Sequence, residues 1–284
     1  MSPAPSLDWD EEALRRQLEP LLPGLTVEIA QRLPSTNTSL LERARRGPEF
    51  KPCLLVAQEQ TRGRGRLGRE WWSSGPASLT FSLALPLAPA DWAGLSLAVG
   101  LALAQALDPC AAASDVPRIG LKWPNDLWLI DGPGRGRKLG GILIETVSTG
   151  SRRVCVVGVG LNVLAQPVAA PQALRHGYAG LQEIAAAASA PWALAQLAEP
   201  LLRGLLRFEA EGFAPCVAAY ARRDLLKGRS VSTTLPELPE GLAEGVDASG
   251  ALWVRRGELF RVVSGEVSVR LGAELEAEGS HGAP

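Results

Sequence analysis

Histidine is nearly absent from this sequence, and cysteine is sparse. The 284 residues include two histidines and four cysteines. Cys53, Cys110, Cys155 and Cys216 lie too far apart for the paired spacing of zinc or redox sites. We therefore expect no resident metal, and we expect the thiols to be reduced.

A basic excess and a long apolar run are missing as well. Lys and Arg number 29 against 30 Asp and Glu, which excludes a general nucleic-acid coat protein. The uncharged, apolar stretch from Trp92 to Leu107 is about 16 residues, too short to span a bilayer. The first residues carry neither the basic start nor the apolar segment of a signal peptide. We expect a soluble, cytoplasmic protein without membrane contact, whose 46% hydrophobic content is enough for a core.

Short apolar strands and helices alternate through most of the chain. A first helix is predicted from Asp10 to Leu22, followed by a helix at Thr38–Arg46 and a buried one at Trp92–Leu107. Strands are predicted where β-branched and apolar runs are bounded by Gly, Pro or charge, in the segments TVEIAQRL, CLLVAQEQ, SLTFSLAL, IGLKW, DLWLI, KLGGILIETV and RRVCVVGVGLNV. Tight turns between them favour a mixed or mainly antiparallel sheet backed by helices, hence an α+β fold.

The character of the chain changes near residue 225. Helices are predicted around Gly180–Ala188, Trp192–Leu206 and Pro215–Arg223, with a kink at Pro200. From Lys227 to Leu271 only short strands and a turn at Asp247–Gly250 are indicated, which is typical of a small β-barrel. We expect an N-terminal helical extension (1–25), a catalytic domain (26–224), a small C-terminal β domain (225–272) and a tail (273–284).

An arginine- and glycine-rich segment is the most informative part of the sequence. It runs GRGRLGREWW from Gly63 to Trp72, directly after Gln60-Thr61-Arg62. Forked guanidinium groups and open backbone N–H groups suit phosphate oxygens. An aromatic ring beside them suits a nucleotide base, so we expect a loop that is mobile when empty and orders on an anionic ligand.

Two other interpretations of this loop compete. Gly63, Gly65 and Gly68 match the spacing of the dinucleotide fingerprint, but a strand follows them instead of a helix, and no acidic residue lies about 20 positions on. The arginines could also keep an exposed hairpin tip soluble.

Four further segments combine glycine with polar groups at the ends of predicted elements. They are Pro34-Ser35-Thr36-Asn37, the run KWPND from Lys122 to Asp126, KLGGILIE from Lys138 to Glu145 after a basic loop (Asp131–Arg137), and GVGLN from Gly158 to Asn162. Paired glycines let a flat ligand approach the backbone. Each segment alone is equally well explained as a cap, a corner or a bulge.

Together and in this order, the five segments resemble the biotin protein ligases. The resemblance extends from Ser35 to about Leu271. It implies an α+β catalytic domain with a mixed sheet of the class II synthetase-like biotin/lipoate ligase type, followed by an SH3-like barrel. It also implies the activity: biotin is activated with ATP, accompanied by Mg²⁺, to biotinyl-5′-AMP and is then transferred to a lysine of a biotin carboxyl carrier protein.

The resemblance assigns roles to individual residues. Those implied for biotin binding are Ser35, Thr36, Asn37, Gln60, Arg64, Gly65, Arg66, Lys138 and Gly141. Those implied for nucleotide binding are Arg64, Arg66, Trp71, Lys122, Asn125, Asp126 and Asn162. Catalytic roles fall to Lys138, Arg64 and Lys122, which would neutralise two approaching anions and the charge that develops in the transition state. No covalent enzyme intermediate is expected.

Two departures and three alternatives accompany the resemblance. Leu67 stands where the family commonly has arginine, and the segment from Ile130 to Arg137 is longer than a tight hairpin.

A lipoate–protein ligase or octanoyltransferase shares the expected fold, although the arginine loop and KWPND argue against it. A biotin-responsive repressor is disfavoured, because only about 25 residues precede the first strand, too few for a helix-turn-helix, and DNA binding is not expected. A homodimer is an open possibility, and a plain nucleotide-binding module would bind ATP regardless of biotin.

Overall fold

A seven-stranded mixed sheet forms the frame of the protein. The computed structural model describes residues 7–47, 49–110, 116–132, 135–150, 152–164, 177–265 and 267–269. The sheet has the spatial order β1-β2-β3-β7-β6-β5-β4, with β1 and β2 parallel and the other neighbours antiparallel. Its strands are β1 (Thr26–Leu33), β2 (Cys53–Gln60), β3 (Ser78–Pro86), β4 (Ile119–Lys122), β5 (Asp126–Gly132), β6 (Arg135–Thr149) and β7 (Arg152–Asn162). The predicted mixed sheet is confirmed.

The two faces of the sheet carry different side chains. In β3, Leu79, Phe81 and Leu83 belong to the larger hydrophobic core, together with residues of α3 (Leu95–Leu107) and α4 (Ala190–Glu211). The alternate residues Ser78, Thr80 and Ser82 are buried on the other face. That face is covered in part by α2 (Thr36–Arg45), whose Leu40 and Leu41 pack on a second, smaller core. A row of small polar residues therefore lies on a sheet face that helices only partly cover.

The parallel pair β1–β2 brings two separate segments to one sheet edge. Leu33 lies opposite Gln60 in the register, so both strands end at the same level. The crossover between them is α2, which begins directly after β1 with Ser35 as its N-cap residue. The first turn of α2 and the end of β2 consequently meet, as the parallel register requires.

The structure corrects several of the predicted helix boundaries. The first helix, α1, spans Glu11–Leu18 and is capped by Asp10, while α2 starts at Thr36 instead of Thr38. The helix predicted around Gly180–Ala188 is wrong, since the structure has only one 3₁₀ turn at Leu181–Glu183. In contrast, α4 continues through Pro200 as a single helix, and α5 spans Val217–Ala221.

The predicted loop at Asp131–Arg137 is also wrong for the residues described. The β5–β6 ladder runs outward until Gly132 pairs with Arg135. Arg137 holds this hairpin with two charged contacts, to Asp131 and to Glu183, each at 2.7 Å. Residues 133–134, at the tip, lie outside the described part.

Five short strands form a second, antiparallel sheet. They are β8 (Ser230–Thr233), β9 (Glu240–Val246), β10 (Leu252–Arg256), β11 (Glu258–Val262) and β12 (Val267–Val269), in the order β11-β10-β9-β8-β12. The predicted turn at Asp247–Gly250 is confirmed, with Gly250 N–H donating to the Asp247 carbonyl. The barrel class and the domain limits remain predictions, and the tail from 273 lies outside the described residues.

The two sheets meet at the KWPND segment. The indole N–H of Trp123 donates to the carbonyl of Gly250 over 3.1 Å, and Trp123 itself is buried. The N-terminal helix also joins the main core through Leu14 and Leu18. Within the described ranges, no helix has the length and apolar character needed to cross a membrane.

Candidate active site

The arginine-rich loop is closed by its own backbone. Trp71 N–H donates to the Gly63 carbonyl at 2.9 Å, and Gly65 N–H donates to the Arg69 carbonyl at 2.7 Å. Leu67 at the tip adopts a positive φ of 55° and is 73% exposed. The structure thus gives a hairpin-like arrangement for residues 63–71, and its mobility in the empty state remains a prediction.

Trp71 is seated directly on a glycine of the central strand β7. A Cβ placed on Gly160 would lie 2.5 Å from Cζ2 and 2.7 Å from Nε1 of the indole, closer than real contacts allow. The nitrogen Nε1 is buried and has no hydrogen-bond partner in the described part of the chain. The Trp71 ring therefore covers the backbone of Gly160, and its Nε1–H donor is available to a ligand.

Thr80, Gly160, Gly141 and Asp126 form one row across four neighbouring strands. With no side chain on the two central residues, the row is flat between β3 and β5. A Cβ on Gly141 would lie 3.6 Å from the Lys138 amine, so that amine lies over Gly141 as Trp71 lies over Gly160. The two glycines thus make room for the side chains of Lys138 and Trp71 on the same sheet face.

Lys138 and Asp126 form the charged centre of the site. Lys138 Nζ lies 2.7 Å from Asp126 Oδ1 and 6.0 Å from the centroid of the Trp71 ring. Both side chains are partly exposed, at 38% and 18%. Because the Lys138 side chain is partly exposed, its amine is accessible to a ligand anion.

The remaining predicted nucleotide residues lie around this pair. Arg66 donates to Asn125 Oδ1 at 3.3 Å, and Asn125 donates to the Ile142 carbonyl. Asn162 donates to the backbone carbonyl of Lys138 at 3.2 Å. The Lys122 amine lies 5.0 Å from the centroid of the Trp128 ring. The structure thus brings Arg66, Asn125, Asp126, Lys138, Asn162 and Trp71 together, with Lys122 next to them on β4.

The predicted biotin residues form a neutral, buried cluster at the start of α2. Ser35, Thr36 and Asn37 are each at most 3% exposed. Gln60 Oε1 accepts from Thr36 N–H at 2.8 Å and from its hydroxyl at 3.2 Å. These bonds orient the amide of Gln60 so that its Nε2 lies close to Gly63, at the base of the loop. The cluster offers polar groups without net charge.

Sequence reasoning missed three residues of the site. Ser82 is fully buried, and its hydroxyl lies 2.6 Å from both Thr36 Oγ1 and Asn37 Oδ1. Glu145 contacts Arg64 and Asn37, and Gly160 seats Trp71. One signal was available for Ser82: polar residues at every second position of an otherwise apolar strand, SLTFSLAL, indicate a polar face.

Two buried ionisable groups lie beneath the KWPND segment. Tyr220 and Leu121 share a small cavity with Lys122, Asn125 and Asp126. Burial raises the pKa of the Tyr220 hydroxyl, and a nearby carboxylate, Asp224, adds to the shift. Burial likewise raises the pKa of Asp224. These groups remain protonated more readily than in water, and they lie under the site instead of in it.

Curated relatives resemble this chain over most of its length. The Bifunctional ligase/repressor BirA of Escherichia coli is 33% identical over 260 residues, covering 90% of this chain and 77% of that protein. The biotin–[acetyl-CoA-carboxylase] ligase of Mycobacterium tuberculosis is 34% identical over 264 residues, covering 90% and 93%. Both alignments are long enough to show common family membership.

Family models and solved structures agree with this. Residues 29–162 match the biotin/lipoate A/B protein ligase family. The biotin protein ligase of Aquifex aeolicus, solved in complex with biotin and ATP, superposes with a TM-score of 0.67 at 26% identity, covering 86% of this chain and 98% of that one. The biotin acetyl coenzyme A carboxylase synthetase of Helicobacter pylori superposes with a TM-score of 0.55 at 26% identity, covering 83% and 99%. The chain belongs to the biotin/lipoate A/B protein ligase family and, within it, to the biotin protein ligases.

Proposed function

We propose that this enzyme joins biotin to ATP, forming biotinyl-5′-AMP and pyrophosphate, and then transfers the biotinyl group to a lysine of a biotin carboxyl carrier protein. One observation carries the proposal. A lysine–aspartate pair, Lys138–Asp126, lies over Gly141 and beside Trp71, on the sheet face that also carries the neutral polar cluster. A neutral head group, a carboxylate and a nucleotide need these three environments side by side.

The neutral pocket fits the bicyclic head of biotin. Its ureido group is polar but uncharged, and its thiophane ring and chain are apolar. Thr36 and Gln60 supply fixed hydrogen-bonding groups, and the smaller apolar core between α2 and the sheet lies beside them. Lipoate has no ureido group, so it would gain no ureido hydrogen bonds from these polar groups.

Positive charge is placed where two anions must meet. The biotin carboxylate attacks the α-phosphate of ATP, forming a carbon–oxygen–phosphorus anhydride as pyrophosphate leaves. The amine of Lys138 would move from Asp126 to the biotin carboxylate, and Arg66 and Lys122 would face the phosphates. Mg²⁺ enters with the nucleotide as part of that substrate. Trp71 would cover the nucleotide, and its N–H, which has no partner among the described residues, would be available to an acceptor.

The second step uses the same groups. The carrier lysine attacks the carbonyl carbon of the adenylate, an amide bond forms, and AMP leaves. Lys138 would stabilise the oxyanion that develops on the carbonyl oxygen. The loop at 63–71, with Arg64, Gly65 and Arg66, would keep water from the mixed anhydride.

Mass spectrometry of a carrier domain tests the proposal directly. The protein, biotin, MgATP and the carrier domain are expected to yield one biotinyl addition at one lysine, and lipoate in place of biotin is expected to yield none. No addition with biotin, or an equal addition with lipoate, would reject it.

We further propose that the enzyme acts in the cytoplasm and does not bind DNA. Its balanced charge supports the absence of DNA binding. A gel shift tests the latter, and sedimentation tests for a homodimer.

A further inference from the structure

Glu145, on β6, joins three segments of the site. Its two carboxylate oxygens accept from the guanidinium of Arg64 at 3.0 and 3.2 Å. Its Oε2 also accepts from Asn37 Nδ2 at 3.0 Å. The arginine-rich loop, the first turn of α2 and strand β6 are thus held by one carboxylate.

Asn37 is fully committed to the protein. A carboxylate and a carbonyl can only accept, so the amide must turn its NH₂ group to Glu145 and to the Leu143 carbonyl, 3.1 Å away. Its oxygen accepts from the fully buried Ser82 hydroxyl at 2.6 Å. A Cβ on Gly158 would collide with this amide. Asn37 consequently links the Glu145 carboxylate to Ser82 on the buried sheet face and fixes the position of that carboxylate.

Arg64 and Arg66 therefore differ, although they are two residues apart on one loop. The charge of Arg64 is matched by Glu145, which is only 24% exposed. Arg66 reaches instead to Asn125, beside the Lys138–Asp126 pair. The two arginines lie at opposite ends of the candidate pocket, one at the neutral cluster and one at the charged centre.

We propose that Glu145 is a positioning residue that fastens the loop through Arg64, so that Arg64 acts as the anchor of the loop and Arg66 faces the reacting anions. The proposal rests on the proposed function, because it divides labour within that site. The Ser82–Asn37–Glu145–Arg64 chain fixes the loop backbone over the biotin pocket. Its loss loosens biotin binding without removing charge from the phosphates.

A double-mutant cycle with two readouts tests this. Pyrophosphate release gives kcat and the KM for biotin, and cleavage of the ligand-free loop by a broad-specificity protease reports its fastening. Glu145→Gln keeps the size of the side chain and removes its charge. We expect a KM for biotin raised roughly three- to tenfold, kcat changed less than about twofold, and faster loop cleavage. Arg64→Ala is expected to match it, and Arg64→Ala/Glu145→Gln to be no worse than either alone.

Glu28→Gln is the matched control. Glu28 forms a comparable ion pair with Arg43, with a distance of 2.8 Å between Arg43 Nη1 and Glu28 Oε2, and this pair lies outside the loop. This variant is expected to leave both readouts unchanged. Multiplying effects in the double variant, a loss of kcat with unchanged KM in Glu145→Gln, or unaltered loop cleavage would each overturn the proposal. Protease cleavage of the loop does not depend on the activity of the enzyme. It therefore tests whether Glu145 fastens the loop even if the wild-type enzyme fails to biotinylate a carrier.

Discussion

Replacing Gly160 by alanine would displace Trp71 by a distance that the structure defines. The new methyl group would start 2.5 Å from Cζ2 and 2.7 Å from Nε1 of the indole. Carbon atoms in contact prefer about 3.5–4 Å, so the ring must withdraw by about 1 Å. Gly160 lies within the central strand β7, whose backbone pairs on both sides and cannot yield instead.

A misplacement of this size is expensive for an active site. A shift of about 1 Å in a positioning group can cost up to ~10²-fold in rate. We expect Gly160→Ala to lower kcat/KM for ATP by roughly ten- to a hundredfold, with a much smaller change in biotin affinity. Initial rates of pyrophosphate release at varied ATP, and biotin titration by calorimetry, measure the two.

Two further variants make the result decisive. Gly47→Ala serves as the control, because a Cβ there meets no atom within 4 Å. Trp71→Phe in the Gly160→Ala background removes the ring atoms that clash and is expected to recover part of the loss. An unchanged KM and kcat for ATP in Gly160→Ala, or identical losses with and without Trp71, would refute the seating of the nucleotide against this ring.

Three other predictions concern charge and burial. Lys138→Ala is expected to keep the melting temperature within a few degrees but to slow adenylate formation by ~10²–10³-fold, and unchanged pyrophosphate release would contradict this. Burial raises the pKa of Asp224, so its ionisation costs the folded state more than the unfolded one, and stability declines as pH rises above the unfolded pKa near 3.8. Asp224→Asn is expected to raise Tm at pH 8 by roughly 2–4 °C and to lose that advantage towards pH 4; a lower Tm than wild type at pH 8 would count against it. Burial raises the pKa of Cys155 to about 12 and that of Cys53 to about 11, so a disulfide reagent at pH 8 is expected to label both only after denaturant is added, and rapid labelling of the native protein would show the burial to be wrong.

The sequence predicted the limits of β1 and β2 well, because residues close by in the sequence define them. The strands Thr26–Leu33 and Cys53–Gln60 have the predicted bounds. Each is a short apolar and β-branched run between polar or turn residues, and no distant partner is needed to define it.

Errors arose where distant contacts decide the structure. An alanine-rich stretch predicted a helix at Gly180–Ala188, but the Glu183 carboxylate binds the guanidinium of Arg137, 46 positions away, and only one turn forms. The same Arg137 holds the extended hairpin that glycine and proline had indicated as a loop. Neither contact is visible in a local pattern.

The candidate site was predictable in its motifs and not in its connections. Trp71, Lys138, Asp126 and Arg66 lie together as their motifs indicated. The link from Asn37 to Glu145 spans 108 positions of sequence, and neither residue type alone suggests it. Such contacts between distant segments depend on the strand order and register of the sheet, which cannot be read from a single sequence.

The hydrogen bond from Trp123 to Gly250 has a mechanical consequence. The acceptor belongs to a turn that the Asp247 carboxylate braces through the N–H groups of Ser249 and Ala251. The turn in the smaller sheet therefore supports the KWPND segment of the larger sheet through this bond. Deleting the smaller sheet would expose the indole of Trp123, which is now 3% exposed, and would leave the KWPND segment without this support.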